Sequence, residues 1–303
     1  MSGGVWAVVV TWNRRVLLEQ CLQALMAQTR ACDRVLVVDN ASDDGTAERL
    51  AAWGDRITVL RLDRNTGGAG GFSAGVRAAV QGGADRVWLM DDDVLPDPQG
   101  LERLLAAEQA LAARGVEAAF LCSTVRTPQG ALTNVAEVDG RLNDLGYAAW
   151  GEHLDLGLMA TRQATFVSLL ASRDQVLARG LPLAPMFIWG DDTEYTLRLS
   201  KDRPGFVVGD SRAVHVRAAP GALSLAHETE PGRIRLHRLL TRNVILTKRR
   251  HEGRASAARY AASRVRMAAG LAVRGQWRKA GVLLAGVIDG LGFDPEVEFC
   301  EAR

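Results

Sequence analysis

Two clusters of carboxylates are the residues in this chain best placed to do chemistry. The first, Asp91-Asp92-Asp93, closes the apolar run Arg86-Val87-Trp88-Leu89-Met90 and is followed by Val94-Leu95-Pro96. Such a run suits one buried strand and is too short to be convincing as a helix. Three adjacent carboxylates repel one another unless a cation sits among them. Alternation along an extended backbone turns Asp91 and Asp93 to one side and Asp92 to the other. That gives two hard oxygen ligands for one divalent ion, with positions left for phosphate oxygens. A solvated acidic turn would produce the same triplet, so its surroundings must decide. The second cluster is Asp191, Asp192 and Glu194 within Phe187-Ile188-Trp189-Gly190-Asp191-Asp192-Thr193-Glu194-Tyr195. Asp191 is expected to cap the helix carrying Leu197 and Leu199, where a carboxylate is favoured. Capping accounts for one acid, not three.

Strand and helix patterns alternate through the first hundred residues. Val5–Val10 is a buried-strand run closed by Thr11-Trp12-Asn13-Arg14, and Leu18, Leu22, Leu25 and Met26 follow at helical spacing. Arg34–Val38 ends at Asp39-Asn40, and Ala41–Thr46 leads into a helix through good N-cap residues. Ile57–Leu62 is the third strand, Asn65–Phe72 a glycine-rich turn feeding a helix to about Gln81, and the acid-tipped run the fourth strand. This order predicts an α/β fold with a mostly parallel sheet covered on both faces. Ligands of such sheets bind beyond the carboxyl ends of the strands. Thr11, Asn13, Asp39, the glycine run and Asp91–Asp93 should therefore converge in one crevice. A nicotinamide-binding domain is the obvious rival, but its glycines belong after the first strand, where this chain reads Thr-Trp-Asn-Arg. A P-loop is excluded because no Gly-Lys-Ser/Thr follows the glycines.

The 303 residues are 48% hydrophobic and 24% charged, ordinary values for a globular chain with ample core. Met1–Gly4 leads straight into a strand-like run, so no secretory leader is expected. No window is apolar enough to span a bilayer. Cys21, Cys32, Cys122 and Cys300 have no metal or redox spacing and read as reduced thiols of a cytoplasmic protein. The net charge of +2 hides an asymmetry: Arg233 to Lys279 holds fourteen Lys/Arg against the single acid Glu252.

The ordered motifs TWNR, VVDNASDDGT, RNTGGAGGF, WLMDDD and FIWGDDTEY, spread over residues 5–250, resemble family 2 inverting glycosyltransferases of the GT-A fold. The likeness is strongest to bacterial galactofuranosyl- and rhamnosyltransferases that extend lipid-linked glycans. The resemblance implies that Thr11, Asn13 and Arg14 line a nucleotide pocket and that Asp39 binds the base edge. It places Asn65 and the backbone of Gly67, Gly68, Gly70 and Gly71 near ribose or sugar, with Asp92 facing the donor. Asp91, Asp93 and His215 would hold Mn²⁺ or Mg²⁺, although a lone His between valines is more often an edge-strand residue. A small residue at Ser168 would line the sugar site. Inverting transfer needs a general base for the acceptor hydroxyl. By the family pattern that base is Asp192, with Asp191 positioning the acceptor and Glu194 orienting the site from behind. Trp189 would stack on a sugar or pack on Phe187, and Arg242 would meet a phosphate.

The implied division is a catalytic domain over 1–230 and a basic helical extension over 231–303. The implied donor is UDP-galactofuranose, with dTDP-rhamnose as the alternative, and the acceptor is a glycan or polyprenyl-linked lipid. A non-catalytic nucleotide-sugar or membrane-binding module is the alternative of a different class. The irregular stretch from Arg126 to Met159 is expected to serve the acceptor side. In the basic tail, two aromatics, Tyr260 and Trp277, are too few to suggest nucleic acid. Basic, partly apolar helices attract anionic lipid head groups. Peripheral attachment to the inner face of the cytoplasmic membrane is therefore what the resemblance suggests. Trp277, Leu284, Ile288 and Leu291 share a stripe suited to an interface or to ordinary packing.

Overall fold

The computed structural model describes residues 4–216 and 223–301. Strand β1 (Val5–Thr11), helix α1 (Arg15–Met26), β2 (Arg34–Asp39), α2 (Thr46–Ala51), β3 (Thr58–Arg61), α3 (Gly67–Gln81) and β4 (Arg86–Asp91) alternate as their sequence pattern dictates. Then come β5 (Val94–Pro96), α4 (Gly100–Ala112), β6 (Leu121–Arg126), β7 (Glu137–Val138), β8 (Leu158–Gln163), β9 (Val167–Ser172) and α5 (Arg173–Arg179). Helix α6 (Asp191–Leu199), β10 (Gly205–His215), α7 (Pro231–His251), α8 (Arg254–Val273) and α9 (Trp277–Gly292) complete the described order.

The sheet runs β3-β2-β1-β4-β9-β6-β10-β8-β7, with β5 paired to β10. Its first four strands are parallel. Beyond them β9 lies antiparallel to both β4 and β6, while β10 is parallel to β6, so the sheet is mixed past the fourth strand. Along β4 the side chains alternate between two cores. Trp88 and Met90 join α1 and α4 on one face, and Val87 and Leu89 join α3 and α6 on the other. Burial on both faces is why β1 and β4 read as continuous apolar runs.

Several local expectations shift. The glycine run is not a turn ahead of α3 but its first turns. Gly70 and Gly71 face Thr66 and Val10, where an added Cβ would come within 2.3 and 2.4 Å. They are packing glycines. Residues 164–166 turn between β8 and β9, and the Thr196 hydroxyl bonds both the N–H and the carbonyl of Ala164. Met26 is exposed rather than packed. Helix α6 is capped by the backbone of Gly190, at φ +91°, and not by Asp191. Helices α7, α8 and α9 pack on one another around Ile234, Leu271 and Leu283. The close approach of α9 to α7 needs Gly286, where a Cβ would stand 2.6 Å from the Arg238 carbonyl.

Candidate active site

Strand register does the first assembly. Thr11 is level with Asp39, and Val10 with Asp91, so the polar ends of β1, β2 and β4 lie side by side. The Thr11 hydroxyl donates to Asp92 Oδ2 (2.7 Å). Arg14 Nη1 donates to Asp93 Oδ2 (2.6 Å) and lies 3.4 Å from Asp92 Oδ1. The far strand β10 supplies the remaining piece. It pairs with β5 so that His215 is level with Val94, and the Val216 N–H donates to the Asp93 carbonyl (2.8 Å). His215 Nε2 thereby comes to 3.0 Å from Asp93 Oδ1. Ligand atoms of Asp91, Asp93 and His215 all lie within 4.8 Å of one another. Two carboxylates and an imidazole converging at this span fit a divalent ion that accepts mixed oxygen and nitrogen ligands.

Electrostatics supports that fit. Burial, then the charges of Asp93 and Asp92, hold the Asp91 carboxyl well above the ordinary carboxylate range, and the charge of Asp191 adds to this. Burial pushes Asp92 up to about 6 against the opposing pull of Arg14 and Thr11. Burial would raise Asp93 too, but the His215 hydrogen bond and the Arg14 charge outweigh it and keep Asp93 low. A cluster this buried calls for more positive charge than one half-exposed arginine provides.

The second cluster is presented by a strained loop. Phe187 (φ +67°) and Trp189 (φ +63°) both sit in the left-handed region, costly for bulky residues. Asn243 of α7 holds them there: its Nδ2 donates to the carbonyls of Met186, Ile188 and Trp189 at 2.9–3.0 Å. Gly67 (φ +72°) receives the other side of the loop. A Cβ there would be 2.0 Å from the Phe187 oxygen, which instead accepts from the Ala69 N–H (3.1 Å). The run therefore does use glycine for a close approach, and the visitor is the chain's own backbone. Asp191 and Asp192 begin α6 beyond this loop. Burial, then the neighbouring Asp192, raises Asp191 to about 8, and burial raises Asp192 to about 6 against the Thr193 N–H.

Both clusters line one cleft of about 1100 Å³, at the upper end of the roughly 300–1,000 Å³ usual for ligand pockets. Thr11, Arg14, Asn65, Gly67, Gly68, Asp91–Asp93, Trp189, Asp191, Asp192 and His215 are on its wall. Trp189 lies against His237 and Arg233 of α7. The other sequence-derived candidates are elsewhere. Asn13 spends its amide on Asp43. Asp39 is sealed beneath Arg61, one oxygen accepting from the Ser42 N–H, so base reading there requires Arg61 to move. Arg242 donates to the carbonyls of Pro185 and Met186 and covers Phe293; it braces the loop and does not face the cleft. Ser168 turns inward to Trp88 and Ser123. Glu194 points away from the cleft to Arg198 (3.0 Å) and His251 (3.5 Å). Most of the irregular stretch stays outside, but Asn134 and Glu137 reach the wall.

Residues 6–128 match the family model described as glycosyl transferase family 2. The galactofuranosyltransferase GlfT1 of Mycolicibacterium smegmatis is 45% identical over 103 residues, 34% of this chain and 34% of that protein. An undecaprenyl-phosphate mannosyltransferase of Micrococcus luteus is 32% identical over 133 residues, 43% of this chain and 51% of that protein. The chain thus spans about a third to a half of the length of these curated relatives. Among solved structures, the mannosyltransferase PcManGT from Pyrobaculum calidifontis, in complex with GDP-Man and Mn²⁺, superposes with a TM-score of 0.60 at 18% identity. The match covers 96% of this chain and 88% of that one, a likeness of fold.

Proposed function

The chain carries a glycosyl transferase family 2 domain over residues 6–128, and from that premise we propose a metal-dependent, inverting transfer of a hexose from a sugar nucleotide to an acceptor hydroxyl. The preferred donor is UDP-galactofuranose, supported by the GlfT1 likeness over 103 residues. A lipid-linked acceptor is supported by the name of the second relative. The observation that carries the reading is that two clusters of buried carboxylates, one with an imidazole, open on a single cleft.

Asp91, Asp93 and His215 would hold Mn²⁺ or Mg²⁺, which when bound supplies Lewis-acid neutralisation of the departing diphosphate. Arg14, already beside Asp92 and Asp93, adds a fixed positive charge where that leaving group gathers charge. Thr11 fixes the rotamer of Asp92. Asp192 accepts the proton of the acceptor hydroxyl as the oxygen attacks the anomeric carbon. Its raised basicity suits that task near neutral pH. Asp191, largely protonated at that pH, is left to donate a hydrogen bond to the acceptor. Residues 1–230 carry this chemistry and 231–303 form the helical extension, whose α7 adds Arg233 and Leu236 to the cleft wall.

Attachment to an anionic membrane surface is supported by α9. Trp277, Ile288 and Leu291 are 68–70% exposed and Leu284 41%, so the stripe does not serve packing within the chain. Among the described residues, the exposed Arg254, Arg259, Arg266 and Arg274 of α8 and its end make no ion pair. No described helix is long and apolar enough to cross a bilayer. Sedimentation with anionic vesicles at low salt should bring the protein down, and no binding at any salt would remove the claim.

The enzymatic reading is tested by Mn²⁺-dependent release of nucleoside diphosphate from a panel of sugar nucleotides. UDP-galactofuranose should turn over fastest. Absence of turnover with every donor, despite thermal stabilisation by UDP, would mark a binding module instead.

A further inference from the structure

The irregular excursion between β6 and β7 delivers one polar side chain to the metal-ligand cluster. Asn134 Oδ1 lies 2.9 Å from His215 Nδ1, while its Nδ2 donates to Thr165 Oγ1 (3.2 Å) and Thr133 Oγ1 donates to the same Oδ1 (3.2 Å). In this arrangement the amide oxygen faces the ring, and both threonine hydroxyls are satisfied. An acceptor at Nδ1 makes that nitrogen an N–H, so in the neutral ring Nε2 is the nitrogen with the lone pair. Nε2 is the atom turned to Asp93 Oδ1, 3.0 Å away. Facing a buried carboxylate oxygen, Nε2 must either carry a proton that it donates to Asp93 or share a cation with it, and a bound divalent ion takes the place of that proton. Asn134 stands at φ +49°, a left-handed conformation that asparagine tolerates better than most residues. We infer that Asn134 is a positioning residue that sets the His215 ring for cation binding through Nε2. The inference rests on the metal-site reading above and deepens it. The stretch expected to serve the acceptor would then act, at this residue, on the donor side.

The test titrates Mn²⁺ alone into the full chain and follows free ion by electron paramagnetic resonance. Loss of a partner that orients a ligating histidine typically weakens metal binding about 10–100-fold. Asn134→Ala should show a loss in that range, and so should Asn134→Gly, which keeps the backbone conformation accessible if alanine there does not fold. Asn134→Asp, still able to accept from Nδ1, should stay within a few-fold of the wild type. Added to His215→Ala, Asn134→Gly should cost nothing more. An equal loss on the His215→Ala background, or unchanged affinity in Asn134→Gly, overturns the inference and leaves the metal site standing. Wild-type protein that binds no Mn²⁺ overturns the metal reading itself.

Discussion

The two acidic clusters share a cleft, and both hold carboxyls lifted by burial, yet only the first contains an acid, Asp93, that is kept low. Beside Asp93 the chain places the Arg14 guanidinium and the His215 ring, and Asp93 is kept low as a result. Around Asp191 and Asp192 it supplies none among the described residues, and burial lifts both carboxyls toward neutrality. The third acid of that motif, Glu194, turns its back on the cleft and is held ionised by Arg198 and His251. An acid kept low, as at Asp93, suits the holding of a cation, and a pair lifted together, as at Asp191 and Asp192, suits the exchange of a proton. Identical side chains acquire different duties from their surroundings alone.

The comparison breaks first at Asp93. Asp93→Ala removes one of the two carboxylate ligands and the partner of Arg14 and His215 together. Mn²⁺-dependent release of UDP from UDP-galactofuranose should fall to the metal-free baseline. Asp192→Asn should lower kcat about 10²–10⁴-fold, the range for a general base, while Mn²⁺ and UDP affinities measured by calorimetry hold. Full turnover in that variant would move the base elsewhere. Glu194→Gln leaves Arg198 and His251 facing a buried neutral amide. Breaking a buried pair typically costs about 3–5 kcal/mol, so denaturant melts should show that scale of loss with kcat per folded molecule preserved. Gly67→Ala drives a methyl into the Phe187 carbonyl at positive φ. Overpacking of about 1–3 kcal/mol is expected, and because the loop leads into Asp191 and Asp192, kcat should drop more than the affinity for UDP.

What could be read from the residues follows the same divide. The polar ends of β1, β2 and β4 were legible because an apolar run that stops at a polar residue is a local signal, and parallel register then aligns the stops. The motif around Asp191 and Asp192 was legible as a string of acids but not as a shape. Its conformation depends on Asn243, more than fifty residues downstream, and on Gly67, a hundred and twenty upstream. A side chain that bonds distant backbone leaves no periodicity. For the same reason Asn134 carried no mark in an irregular segment, and Arg242, which the resemblance set at a phosphate, donates here to carbonyls of the loop. Charge type survives in a sequence; the direction a side chain points does not.

The finest test of the contrast uses pH on the metal-free protein. A carboxyl raised in the folded state binds its proton more tightly there than when unfolded, where its pKa is about 3.9. Its contribution to stability is complete below that value and is lost as pH rises through the folded pKa. For Asp191 that window runs from about 4 to about 8, and for Asp192 to about 6. Asp191→Asn cannot ionise, so its melting temperature should exceed the wild type at pH 8–9, with the advantage vanishing toward pH 4. Across the cleft the sign reverses. Asp93 is held low, so Asp93→Asn should lower the melting temperature at neutral pH and lose that effect in acid. With Mn²⁺ restored, the acidic limb of kcat should lie near pH 6 in both wild type and Asp191→Asn, because Asp192 releases its proton while Asp191 still keeps its own. Matching melting profiles for the Asp191 and Asp93 variants would show that the two clusters do not differ in the way argued above.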